Sequence, residues 1–199
     1  MKMKAPLIVL CALLLVVASV MGTLAFLTST TDVVKNTFSV GDVKITLDEA
    51  KVTLDGVQDG DTRVTENNYK LMPGHAYLKD PTIHVDANSE DCWLFVEITN
   101  EIAAIEDAKT IETQMGEKGW TLVTGTENIY WHAVASKGDN IVVFDSFKIK
   151  DDVANNTLAD YAGKTIVVKG YAVQADGFDT AAEAWAATFG AQTAPEVQG

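Results

Sequence analysis

Short apolar runs that alternate with polar residues, each closed by a Gly, Asn or Asp turn, recur along most of this chain and limit its fold more than any other feature. Around residues 38–47, Val43, Ile45 and Leu47 alternate with Lys44, Thr46 and Asp48. Period two with β-branched residues predicts a half-buried strand. Residues 51–54 continue it briefly before a Gly- and Asp-rich stretch at 55–61. The acids there invite a calcium loop, but the spacing lacks the bidentate Glu of the helix-flanked kind, so a solvated turn is expected. Residues 76–85 read as a strand that Pro81 places at an edge or bulge. Residues 92–99 are apolar on both faces at their start and predict a central strand. Further strands are expected at 120–123, 129–135, 141–149 and 165–175.

Two segments break this pattern. Residues 101–115 carry Ile102, Ile105 and Ile111 at helical spacing without Pro or Gly, which predicts a helix. In residues 178–189, Thr180 with Glu183 forms a capping-box pattern, and Ala182, Trp185 and Phe189 share one face of the helix that follows. Gly190 ends it, and residues 191–199 read as a disordered tail. Many short strands with turns between them favour an antiparallel sandwich over a parallel sheet, with helices as insertions at loops.

The N-terminus reads differently. Lys2 and Lys4 precede an apolar run of about 14 residues at 7–20, shorter than the ~20 a spanning helix needs. Thr23 and Ala25 supply the small residues a signal peptidase requires, which places cleavage between Ala25 and Phe26. An uncleaved anchor is the alternative, because residues 21–27 extend the apolar run, and that segment is the chain's one expected membrane contact. Cleavage divides the chain into a signal peptide (1–25), an N-terminal arm (26–38), a β-domain (39–190) and the tail.

Removing Lys2 and Lys4 from 15 basic residues leaves 13 against 28 acidic ones, a formal charge of −15. That excludes nucleic acid and anionic membrane surfaces as expected partners. Cys11 leaves with the signal segment and Cys92 remains alone, so no intramolecular disulfide forms, a pattern of bacterial rather than endoplasmic-reticulum export. Cys92 in an apolar strand reads as a buried small hydrophobe.

No enzyme signature emerges. His75, His84 and His132 form no H-E-x-x-H pair, and His84 with Asp86 is a thin ligand set on one strand face. No nucleophile elbow, phosphate loop or dinucleotide fingerprint is present. Tyr130 and Trp131 are adjacent in an expected strand, so one faces the core and the other the surface. Neither a cofactor nor a metal is expected.

Several short motifs, taken in order, carry a family resemblance. The junction at 22–32 (GTLAFLTSTTD) resembles signal peptides cut by the dedicated signal peptidase of Gram-positive biofilm operons. The stretches NTFSVG at 36–41 and VKITLDE at 43–49 are similar to the first mature strand of the TasA/camelysin family. LMPG at 71–74, KDP at 79–81, NSEDC at 88–92, YAVQADGF at 171–178 and Ala184-Trp185 resemble later segments of that family. The resemblance implies a jelly-roll-like β-sandwich, exported to the cell surface or extracellular matrix as a biofilm fibre subunit. It implies assembly by donor-strand complementation with another copy or a related matrix subunit. Phe26, Leu27, Val33, Val34 and Phe38 would form the donor arm. The alternatives are that residues 26–38 fold back as the domain's own first strand, that the chain is a camelysin-like cell-surface metallopeptidase, or that it is an adhesin that never polymerises.

Overall fold

The computed structural model describes residues 42–190. The chain order is β1 (Ile45–Val52), β2 (Gln58–Val64), β3 (Ala76–Leu78), β4 (Thr82–Val85), β5 (Cys92–Asn100), a 3-10 turn (Ala103–Ile105), α1 (Ile111–Glu117), β6 (Thr121–Leu122), β7 (Ile129–Ala135), β8 (Asn140–Val142), β9 (Ser146–Lys148), α2 (Asn155–Ala159), β10 (Ile166–Gln174) and α3 (Ala181–Thr188). The donor-arm residues Phe26, Leu27, Val33, Val34 and Phe38, the cleavage site at Ala25, and the 191–199 tail lie outside the described residues.

The protein is mainly β, and its strand pairs are antiparallel. One sheet has the order β2-β1-β4-β8, a second β10-β5-β7-β6, and β3 pairs with β9 as a small third sheet. Ile83 and Val85 of β4 share a buried core with Leu94, Val96 and Ile98 of β5, so the two larger sheets face each other. Gly170 lets them approach closely. A Cβ there would lie 3.5 Å from Ile45 Cδ1 and 3.6 Å from Ile83 Cδ1. The small sheet adds Tyr77 stacked on Phe147 with ring centroids 4.8 Å apart.

On the outer face of the second sheet, α3 packs Trp185 against Phe95 and Tyr171. Its start follows the sequence signal: Thr180 Oγ1 accepts from Glu183 N, and Glu183 Oε2 accepts from Asp179 N. The buried stripe is Ala181, Ala184 and Trp185; Ala182 is exposed.

Other expectations are corrected in detail. Residues 58–61 of the acidic stretch, expected as a turn, instead begin strand β2, which is closed onto β1 by a turn at Thr53–Val57. Residues 76–85 divide into β3 and β4, because Pro81 has no N–H and the chain changes sheet there. Residues 141–149 divide in the same way into β8 and β9, with Val143 and Phe144 fully buried between them. The helix expected at 101–115 is a 3-10 turn and a separate helix. Glu106 is extended, Asp107 N bonds Lys148 O and Thr110 caps α1, so the helix is interrupted between the two pieces. Ile102, Ile105 and Ile111 are all buried, as their spacing predicted, though from different elements. Helix α2 had no counterpart in the sequence reading. Among the described residues no helix is long and apolar enough to cross a membrane.

Candidate functional site

The local chemistry of β10 starts the site. Its register with β5 pairs Ile166 with Asn100 and Gln174 with Cys92. Glu101 N bonds Thr165 O at one end, and Ala175 N bonds Asp91 O at the other. The alternation of an antiparallel ladder therefore turns the backbone groups of Ile166, Val168, Gly170 and Ala172 away from β5. Among the described residues no strand pairs with that side of β10.

A second open edge lies opposite. Asp86 N bonds Lys44 O, so Thr46 and Asp48 direct their backbone groups to β4, and Ile45 and Leu47 direct theirs the other way. Strand β2 joins β1 only from Glu49 onward, where Glu49 pairs with Val64. Ile45 and Leu47 thus also lack a strand partner on that side among the described residues.

Between these edges lies a cleft of about 920 Å3. Leu47, Leu71, Phe147, Leu158, Ile166 and Val168 give it an apolar lining that belongs to, or packs against, the main core. Its polar floor is unusual. Lys79 Nζ donates to Glu49 Oε2 at 2.6 Å, and both side chains are about nine-tenths buried. Asn67 Nδ2 donates to Glu49 Oε1 at 2.9 Å. Beside them the Tyr69 hydroxyl donates to Leu78 O, and burial, reinforced by the Glu49 and Asp80 charges, pushes its pKa well above the usual phenol range.

Unpaired backbone groups beside an apolar trough suit an added β-strand. The backbone edge supplies hydrogen bonds and the trough takes alternate side chains.

The histidines are engaged elsewhere. His84 Nε2 lies 2.8 Å from Asp48 Oδ1, and its Nδ1 meets Asn140 Oδ1. The Asp48 carboxylate, which Arg63 also binds, has its pKa held low by these partners against the opposing effect of burial. Asp86 Oδ1 accepts from Asn88 N at 2.8 Å, so His84 and Asp86 serve separate structures. Among the described residues no three His, Cys, Asp or Glu side chains are grouped to hold a metal ion. Tyr130 packs toward the main core and Trp131 against Trp93 on the other face, so the adjacent aromatics form no single platform.

Sequence reasoning missed the cleft and the Glu49–Lys79 pair. A signal for Glu49 existed: it continues the parity of Val43, Ile45 and Leu47, which directs its side chain inward. Comparison with protein-family models, curated proteins and solved structures finds no match.

Proposed function

We propose that this chain is a secreted subunit of an extracellular matrix fibre, polymerising when the N-terminal arm of one copy enters the cleft of the next. The observation that carries the reading is the apolar cleft flanked by two strand edges, Ile45–Leu47 on β1 and Ile166–Ala172 on β10, that have no strand partner among the described residues. The finer fold reading belongs with it: the two four-stranded sheets are a jelly roll left open beside β10. The arm 26–38, with Phe26, Leu27, Val33, Val34 and Phe38, is the donor.

The length of the arm suits assembly between copies. Asp42 O accepts from Glu90 N, and the neighbouring Asp91 O accepts from Ala175 N, so the chain enters the domain beside the C-terminal end of β10. The cleft is lined by residues 161–168, at the other end of that strand. Residues 26–41, extended, reach about 50 Å at ~3.3 Å per residue. An arm that enters the cleft of a second copy rather than that of its own domain makes a head-to-tail contact, and such contacts give filaments where they do not close on themselves.

Val168→Pro tests this. Its N–H points away from β5, so proline there blocks the free edge and leaves the β5 ladder intact. The reading predicts a folded chain that no longer forms fibres under electron microscopy. A folded Val168→Pro chain that forms fibres as the parent does overturns it.

A further inference from the structure

The Glu49–Lys79 pair has a property that the fibre reading alone does not require. An ammonium carries three donors, and among the described residues Lys79 Nζ hydrogen-bonds only to Glu49 Oε2. The Tyr69 ring lies 6.0 Å from it and adds cation-π attraction but no acceptor. Lys79 is 9% exposed and Glu49 5%, yet both line the cleft. A charge pair so far removed from water, with donor capacity left over, costs stability unless a further acceptor meets it. An all-apolar strand laid over it would seal that donor without a partner.

The arm has the matching pattern. Phe26, Val34 and Phe38 share one parity, so in an extended strand they face one side. Thr28, Thr30 and Asp32 share the same parity and lie between the apolar positions. A strand that buries Phe26 and Val34 in the trough therefore presents hydroxyl and carboxylate oxygens midway along it.

We propose that the buried Glu49–Lys79 pair is the register key of the cleft, selecting from a second copy of this chain an arm that places an oxygen of Thr28, Thr30 or Asp32 on the Lys79 ammonium. The inference rests on the fibre reading above and names the chemistry of its partner strand. A slip of one residue would turn every side chain to the opposite face. A slip by an even number of residues keeps the faces, and the polar contact opposes it where it carries Thr28, Thr30 and Asp32 all off Lys79 and sets Phe26 or Val34 there instead. Buried polar groups fix register in this manner in other assemblies, at some cost in stability.

The test measures direct binding of labelled peptides by fluorescence anisotropy to the chain from Phe26 onward, held below its assembly concentration. One peptide has the sequence of residues 26–38; the other carries Thr28→Val, Thr30→Val and Asp32→Val. The chain is expected to bind the first at least tenfold more tightly. The double variant Glu49→Leu/Lys79→Met is expected to bind the two within about twofold of each other. Equal binding of both peptides by the parent chain overturns the inference even if the double variant does not fold. So does a tenfold preference that survives in a folded double variant. Fibres from the same preparation seen by electron microscopy, with the preference absent, would overturn the register key alone. Binding of neither peptide would overturn the cleft as acceptor and the key with it.

Discussion

Glu106→Gln should change how the stability of this domain depends on pH. Glu106 is 3% exposed, its Oε2 accepts from Asn100 Nδ2 at 3.0 Å, and its Oε1 is buried without a partner among the described residues. Burial, reinforced by the Glu112 charge, raises its pKa from 4.5 to about 7, against the opposing effect of hydrogen bonds from Asn100 and the Ile111 backbone. The unfolded chain releases this proton near pH 4.5 and the folded one near 7, so between those values the folded state holds the extra proton. Stability therefore falls as pH rises through that window and is level above it. At ~1.4 kcal/mol per pH unit, the loss is about 3 kcal/mol. Glutamine cannot ionise, so the variant lacks this loss. Urea unfolding followed by tryptophan fluorescence at several values between pH 4 and 8 measures it. Relative to the parent, Glu106→Gln should gain about 3 kcal/mol between pH 4.5 and 7, whatever constant offset the amide introduces. Parallel stability profiles for the two proteins would refute the reasoning.

Three other outcomes follow from the same structure. Gly56→Ala should destabilise by about 2 kcal/mol or more in thermal or urea melts, because φ is +72° and the new Cβ would lie 2.7 Å from the Tyr77 Cα. Cys92 should resist alkylation in the native protein and react on unfolding, followed by mass spectrometry: it is fully buried, and burial with the Asp91 and Asp139 charges pushes its thiol up to about 11. On the proposed fibre reading, fibre yield measured by sedimentation should rise with divalent cations or on moderate acidification, since residues 26–199 carry 28 acidic against 13 basic residues, a charge that opposes association of copies at neutral pH.

Much of the β architecture was legible because period two is a local signal. The parity of Val43, Ile45 and Leu47, the apolar run beginning at Cys92, and the Thr180/Glu183 cap each determine structure within a few residues. Breaks between elements were harder to read. Residues 141–149 look like one strand, yet Val143 and Phe144 are buried between two sheets, and only β4 and β3 as partners divide them. Residues 101–115 have helical spacing, but Asp107 is tied by Lys148 from 41 positions away, a competitor that no local window contains. The cleft was illegible for the same reason. Leu47, Leu71, Phe147, Leu158 and Val168 come from separated parts of the chain, and the property that matters, an unpaired edge, is a statement about which strands fail to meet. Glu106 had no sequence signature at all, because its burial follows from the 3-10 turn that replaced the expected helix.

The most direct test of the central claim is electron microscopy of two purified chains, one beginning at Phe26 and one at Ser39. The account predicts filaments from the first and monomers from the second. Filaments from both, or monomers from both, would contradict it.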